Sequence, residues 1–403
     1  MNDLSLNLLY TIAAYPPSIG GAQLHTHQVA SLLARDHRVR VGTHWCENRT
    51  DWLLGTTLNA PKDSQQYELD GVEVFQINIP EKQRLPLIPY VLGYYGIKTR
   101  AIEKISNTLV PQIEELARDR DLIHNIRMGR ENLSYASLKV ARKLDLPFIF
   151  TPLHHPRWVG WNYKQYINLY RQADRVIALT PTEKQTLIEL GVKAERIVIT
   201  GIGPLVADRA DPASFREKYR LSDRPTVLFI GQKYKYKGIR TLLEAGQRLL
   251  KKIPELRLVF IGPRTPFSKK LFATIDDPRF IEIGRVSLQE KTDALAACDL
   301  LCVPSLQESF GGVYTEAWMM KKPAIGGDIP PIRDTIDEGI DGFVVGADPE
   351  LLAEKILELL TNPSLRAAMG EAGYRKVLEK FTWEKLSEKL MLTYRELLHG
   401  SGA

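Results

Sequence analysis

The sequence predicts an α/β protein built from two Rossmann-like, doubly wound domains facing across a cleft. Three observations predict it. Short apolar runs alternate with helix-spaced segments, the pattern restarts past the midpoint, and 403 residues are about twice an ordinary domain. LNLLYTIAA (6–14) is an apolar run that ends in a Pro-Pro-Ser-Ile-Gly-Gly loop. AQLHTHQVASLLAR then places Leu24, Val29, Leu32 and Leu33 at helical spacing, and HRVRVGTHW alternates as a strand, completing a βαβ unit. DLIHNI (121–126), PFIFTPL (147–153) and DRVIALT (174–180) read as further buried strands, with helices at 101–118 and 131–144. Alternation of this kind implies a parallel sheet covered by helices on both faces.

After RIVITGIGP (196–204) and a polar stretch, the theme begins again with TVLFIG (226–231). LRLVFIGP (256–263), FIEIGRV (280–286), DLLCVPS (299–305) and KPAIGGD (322–328) continue it. The expected division is a first domain over 1–205, a second over 206–380, and a terminal segment over 381–403. That last segment, FTWEKLSEKLMLTYRELLHG, reads as an amphipathic helix closed by Gly400 and is expected to cross back to the first domain.

Composition narrows the function classes. Apolar residues make up 44% and charged residues 25%, as in a soluble globular protein. The net charge of +6 is spread out, with 24 basic against 20 acidic residues in 1–200 and 30 against 28 in 201–403. A nucleic-acid reader concentrates its charge in one stripe, so no nucleic-acid partner is expected. Cys46, Cys298 and Cys302 are an odd number without a CxxC pair, which reads as a reduced protein without disulfides. No basic n-region opens the chain, and it contains no apolar run of about 18 residues. A cytoplasmic protein is expected, touching a membrane, if at all, peripherally from its inner face.

Ligands of such sheets sit beyond the carboxyl ends of the strands, so the residues following each strand matter most. VPSLQESFGGVYTEAWMM (303–320) places Glu308 on a loop and Glu316 in the first turns of a helix. Gly311 and Gly312 clear side chains from the helix start, where free N–H groups and the helix dipole favour an anion. Carboxylates accept hydrogen bonds from vicinal hydroxyls of a ribose or hexose. An arbitrary glutamate pair is more often a solvated residue and a helix cap; the surrounding loop-to-helix context favours the functional reading. TVLFIGQKYKYKGI (226–239) carries Lys233, Lys235 and Lys237 from a strand end to a helix start, where cations neutralise a diphosphate.

These stretches resemble the C-terminal domain of the family 4 retaining glycosyltransferases, the group 1 glycosyl transferases of GT-B fold. ESFGGVYTE (308–316) matches the family's E-x₇-E motif, and FIGQKYKYKGI matches its G-R-L-x-x-x-K-G phosphate loop in spacing. PPSIGGAQLHTHQVASLL resembles its Gly-Gly loop and first helix, and the closing FTWEKLSEKLMLTYRELL resembles its terminal helices. The resemblance covers nearly the whole chain and is tightest from 226 to 345.

The resemblance implies a nucleotide-sugar donor whose ribose hydroxyls are held by Glu316. It implies that Glu308 lies near the transferred sugar, with the N–H groups around Phe310, Gly311, Gly312 and Val313 on sugar and phosphate. Lys237 matches the phosphate-binding lysine. The family's arginine falls on Gln232 here, so a replacement cation is sought at Lys233 or Lys235. Arg285 and Val286 match the segment that contacts the base, and Gly20 and Gly21 match the loop that approaches the diphosphate. The family also places a histidine near the sugar after a strand of the first domain. TPLHHPRW offers His154 and His155, of which the pattern favours His155. An isolated histidine more often packs than reacts, but a pair after a buried strand favours function.

Other signals carry less. Asp119-Arg120-Asp121 imitates a metal-binding D-x-D but immediately precedes a strand, where a turn is the plainer reading. His25 and His27 lie two apart on a helix and cannot share a metal. His124 ends a strand and reads equally as cleft-lining or buried. GIGPLV (201–206) lacks the rest of a dinucleotide fingerprint. No metal or other cofactor is expected. QRLPLIPYVLGYYGIKTRAIEK (83–104) mixes aromatic, aliphatic and basic residues; a core-packed helix with its loop is the plainer reading, and a lipid-linked acceptor or membrane surface the other.

The expected function is therefore retaining transfer of a hexose-type sugar from a UDP-sugar to a glycan or lipid-linked acceptor. It would serve polysaccharide or glycolipid biosynthesis. Nucleotide-sugar epimerisation or sugar phosphorolysis on the same fold is the alternative, as is a non-catalytic nucleotide-sugar binder. A Rossmann oxidoreductase is disfavoured by the missing fingerprint.

Overall fold

The computed structural model describes residues 5–18, 20–47, 49, 51–154 and 161–399. The chain divides into two compact units, one of 1–179, 183–200 and 383–403, the other of 180–182 and 201–382. Boundaries expected at 205 and 380 thus fall at 200 and 382, and the helix Trp383–His399 belongs to the first unit.

The first unit is built on an eight-stranded sheet, in the order β3-β4-β2-β1-β5-β6-β7-β8. Its strands are β1 (Asn7–Ala14), β2 (Arg38–Trp45), β3 (Gln66–Leu69), β4 (Val72–Gln76), β5 (Leu122–Ile126), β6 (Phe148–Thr151), β7 (Arg175–Ala178) and β8 (Ile197–Ile199). β3 runs antiparallel to β4 and all other pairs are parallel. The β3–β4 hairpin was not foreseen. Asp70 and Gly71 close it with φ of 49° and 76°, the double positive φ of a tight hairpin turn. β1, β5 and β6 are buried along almost their whole length, which is why they read as continuous apolar runs rather than alternating ones.

The helix Trp383–His399 is tied to this sheet by polar contacts as well as by Leu390 and Met391. The hydroxyl of Tyr394 lies 2.6 Å from that of Tyr10 and 2.6 Å from Nδ1 of His124. Nε2 of His124 is 2.7 Å from Oγ1 of Thr151, so the imidazole is bonded on both sides. Burial pushes its pKa down to about 3, and the ring is a neutral, buried packing element.

The second unit carries β9 (Thr226–Ile230), β10 (Arg257–Ile261), β11 (Phe280–Ile283), β12 (Leu300–Val303), β13 (Ala324–Gly327) and β14 (Gly342–Val345). All pairs are parallel, and the order is β11-β10-β9-β12-β13-β14, the strand order of a doubly wound Rossmann sheet. The helix Ile239–Leu249 covers it with Ile239, Leu242, Leu243, Gly246 and Leu249, an apolar stripe at helical spacing. Cys298 and Cys302 are buried free thiols in this core, and burial pushes the Cys298 thiol up to about 12. They are packing residues. Among the described residues no helix is long and apolar enough to cross a membrane.

Candidate functional site

In the second unit the strand order reverses between β9 and β12, which are neighbours in the sheet. A doubly wound sheet opens its ligand crevice at such a reversal, beyond the strands' carboxyl ends. The loops that leave β9 and β12 there are the two stretches singled out from the sequence.

The β9 loop runs from Gly231 through a 3₁₀ turn at Lys235–Lys237 into the helix Ile239–Leu249. The β12 loop runs from Pro304 to Gly311 and enters the helix Gly312–Met319. The two loops are bonded to each other. The carbonyl of Tyr236 accepts the Leu306 N–H at 2.7 Å, and the Ser305 hydroxyl lies 3.4 Å from the same oxygen. Nζ of Lys237 pairs with Oε1 of Glu308, and both side chains are less than one-fifth exposed. Gly238 has φ of 73°, and a Cβ there would stand 2.0 Å from the carbonyl oxygen of Pro304. Only glycine permits that approach.

Gly311 has φ of 85° and caps the helix Gly312–Met319; a Cβ on it would meet the Tyr314 ring at 2.4 Å. Tyr314 is fixed by its hydroxyl donating to the Val303 carbonyl at 2.8 Å. The first N–H groups of this helix, at Gly312 and half-buried Val313, have no acceptor within the helix itself. Phe310 contributes its backbone only, since its ring is buried edge-on against Phe381 at 5.3 Å.

Glu316 is the fifth residue of the helix and only 8% exposed. Its Oε1 accepts from Nζ of Lys291 at 2.7 Å. Burial raises its pKa, and the Lys291 ammonium and the Leu205 N–H oppose that rise. Lys291, on the helix Leu288–Ala297, was not singled out from the sequence. The signal was there: a lysine at 291 shares a helix face with buried Ala294 and Leu295.

One expected contact is corrected. Lys233 does not supply the missing cation, because its side chain is fully buried beneath the loop. Its ammonium lies 3.1 Å from Oε1 of Glu282 and 2.6 Å from the Ile283 carbonyl, both on β11, and burial lowers its pKa. Gln232 and Lys235 are exposed on the same loop. Arg285, exposed, and Val286, half-buried, follow β11.

In the first unit the strand order reverses between β1 and β5. Gly20 and Gly21 stand where β1 gives way to the helix Gly21–Leu33, and a Cβ on Gly21 would meet no atom within 4 Å. His154 follows β6 and is 4% exposed, with its ring edge-on to Tyr170. Its N–H donates to Oε1 of Glu183 at 2.6 Å, and the Leu179 N–H donates to Oε2 at 2.7 Å. Burial pushes the Glu183 carboxyl up to about 7. His155, the favoured histidine, lies outside the described residues. His25 packs against Trp383, and His27 stands between the Tyr15 hydroxyl and Asp70. Asp119 pairs with Arg40 and Arg120, and Asp121 accepts the Asn7 N–H, so the D-R-D stretch closes a turn onto β1.

Comparison with known proteins identifies the family and the fold. Residues 211–376 match the family of glycosyl transferases group 1, and residues 20–203 match the glycosyl transferase 4-like domain. An uncharacterized glycosyltransferase of Methanocaldococcus jannaschii is 27% identical over 95% of this chain and 96% of its own. A D-inositol 3-phosphate glycosyltransferase of Thermobispora bispora is 30% identical, over 56% of each chain. The crystal structure of Anabaena HepE in complex with UDP-glucose superposes with a TM-score of 0.75 over 97% of this chain and 100% of its own, at 17% identity. The chain belongs to the group 1 glycosyl transferases, and its fold is GT-B.

The packing of the two loops generates one prediction. Gly238→Ala places a methyl group into the Pro304 carbonyl and forces the β9 loop away, costing about 2 kcal/mol or more of the second unit's stability. Urea unfolding followed by tryptophan fluorescence measures it; an unchanged midpoint would contradict the contact.

Proposed function

We propose that this glycosyltransferase moves a hexose-type sugar from a UDP-sugar to a glycan or lipid-linked acceptor, with retention and without a metal ion. The observation that carries the proposal is the convergence at one strand reversal of the Lys237–Glu308 pair, Glu316 and the open start of the helix Gly312–Met319. UDP is favoured because HepE, of the same fold, is described in complex with UDP-glucose.

In this reading the free face of the Glu316 carboxylate takes the ribose hydroxyls. The diphosphate lies against Lys237 and the N–H groups of Gly312 and Val313, with exposed Gln232 as a neutral donor and Lys235 as a mobile cation. Arg285 and Val286 flank the base. Glu308 orients Lys237 and accepts hydrogen bonds from hydroxyls of the transferred sugar.

Reaction breaks the bond between the anomeric carbon and the diphosphate oxygen, so negative charge grows on the leaving group. Preplaced cations and N–H dipoles stabilise that charge without reorganising. The acceptor oxygen bonds the same face of the sugar as the diphosphate departs, and its proton passes to the departing phosphate oxygen. Lys237 does the work that a divalent cation does elsewhere. Sugar transfer should therefore persist after chelation, and the product's anomeric configuration, read by NMR, should match the donor's. Inversion, or loss of turnover on chelation, would overturn this mechanism. Lys237→Ala should lower kcat by about 10²–10³, in line with loss of one donor to a developing oxyanion.

A peripheral membrane contact fits the first unit. Leu85, Ile88, Leu92, Tyr95 and Ile97 are exposed within thirteen residues, Leu92 by 81%, and exposed Lys82, Arg100 and Lys104 flank them. Apolar side chains ringed by cations suit an anionic bilayer carrying a lipid-linked acceptor. Wild-type protein should sediment with phosphatidylglycerol vesicles at low salt, and Leu85→Ser with Leu92→Ser should abolish it. Equal sedimentation of both proteins would overturn the contact.

A further inference from the structure

We infer that Lys291 is a positioning residue that keeps the Glu316 carboxylate ionised and turned toward the nucleotide, so that donor binding continues into mildly acidic conditions. The inference deepens the donor reading above and rests on it.

Glu316 faces a conflict. It is nearly sealed from water, and a buried carboxyl favours its neutral form. A neutral carboxyl is a poorer partner for a ribose diol, because it gives up acceptor capacity for a donor proton. The ionised form needs a local counter-charge, and the structure assigns that task to one side chain. Lys291 reaches from the helix Leu288–Ala297 to Oε1 of Glu316 at 2.7 Å, with 18% and 11% of the two side chains exposed. The Lys291 contact is monodentate, so that even with the Leu205 N–H on the carboxylate, lone pairs remain for hydroxyl donors.

Several charges on the neighbouring segments are committed elsewhere. Glu308, eight residues earlier, is held by Lys237. On Lys291's own helix, Glu290 pairs with Lys218, and Asp293 accepts from Gln289 and from the Asp211 N–H. On the helix Pro363–Lys376, which packs against that of Glu316, Lys376 pairs with Asp337 and Asp341, Glu371 with Lys321, and Arg366 with Asp299. Cys302 on β12 is a buried thiol held neutral by burial. From the segment after Gly201, the Leu205 N–H is the remaining group acting on Glu316. Removing the lysine therefore takes away the carboxylate's one ion-pair partner among the described residues and leaves the Leu205 N–H against its desolvation.

The sign follows from linkage. Glu316 binds the nucleotide when ionised, so affinity falls as pH drops through its pKa, and loss of Lys291 moves that pKa up. Each unit of upward shift weakens binding about tenfold on the acid side and leaves it unchanged well above the pKa.

The test is calorimetric titration of wild type, Lys291→Met, Lys291→Arg and Glu316→Gln with the tightest-bound of UDP, GDP and ADP, across pH 5.5–8.5. Protonation of the nucleotide's own phosphate is common to all four proteins and cancels in ratios. Lys291→Met should bind roughly tenfold or more weakly than wild type near pH 6, converging toward wild type near pH 8.5. Repeating the titration in two buffers of different ionisation enthalpy near pH 6 should show Lys291→Met releasing more protons on binding than wild type. Lys291→Arg should restore both readouts.

A Met-to-wild-type ratio constant across pH, with no extra proton release, would overturn the inference and reduce Lys291 to a structural contact. A Glu316→Gln variant that binds like wild type would overturn the donor reading itself. So would failure of the wild type to bind any of the three nucleotides.

Discussion

The contact on which the second unit's site depends is a backbone one, the docking of the β9 loop onto the β12 loop. Gly238 lies against the Pro304 carbonyl, and the Tyr236 carbonyl receives the Leu306 N–H. These two loops leave adjacent strands at the reversal of the sheet, so sheet topology brings them together. The glycine allows contact close enough for Lys237 to reach Glu308. With the β12 loop pinned, Gly311 can cap the helix Gly312–Met319 and aim its free N–H groups along the same edge. Backbone contacts set this geometry before any ligand arrives, the condition under which dipoles stabilise charge without paying for their own rearrangement.

Electrostatics on that frame follow a repeated design. Each motif carboxylate is met by a lysine from a neighbouring segment, Glu308 by Lys237 and Glu316 by Lys291. Burying an unpaired charge costs several kcal/mol, whereas a paired one with satisfied hydrogen bonds is tolerated. The Glu282–Lys233 pair shows the same economy put to structural use. There the ammonium also bonds the Ile283 carbonyl, anchoring the β9 loop to β11 from beneath. Three lysines spaced two apart on one loop therefore have three fates: buried anchor, exposed cation and carboxylate partner.

Those fates mark how far the sequence could be read. The α/β class, the restart of the pattern and most strands were legible, because buried parallel strands are uninterrupted apolar runs. β3 and β4 were missed although Tyr67, Leu69, Val72 and Val74 flank an Asp-Gly pair; the exposed edge of the sheet leaves them too polar to stand out. β14 was also missed; it begins with glycine and offers only Phe343, Val344 and Val345 as an apolar run. In the site, motif spacing located Glu308, Glu316, Gly311 and Gly238, since a loop between a strand and a helix has few ways to run. Spacing says nothing of which side of the loop a side chain takes. Lys233 was therefore read as a solvent-facing cation, and Lys291, far away in sequence, was not read at all. His124 shows the same limit from the other side: its neutral, doubly bonded state depends on Tyr394, 270 residues away.

The central claim is that the second unit holds a nucleoside diphosphate by the Glu316 edge and a sugar by the Glu308 edge. Calorimetric titration of wild type, Glu316→Ala and Glu308→Ala with UDP and with UDP-sugars, without metal, tests it most directly. The account predicts that wild type binds both ligands and that Glu316→Ala loses both while remaining folded. It predicts that Glu308→Ala keeps UDP but loses the added affinity contributed by the sugar. Undiminished binding of UDP by folded Glu316→Ala would contradict it.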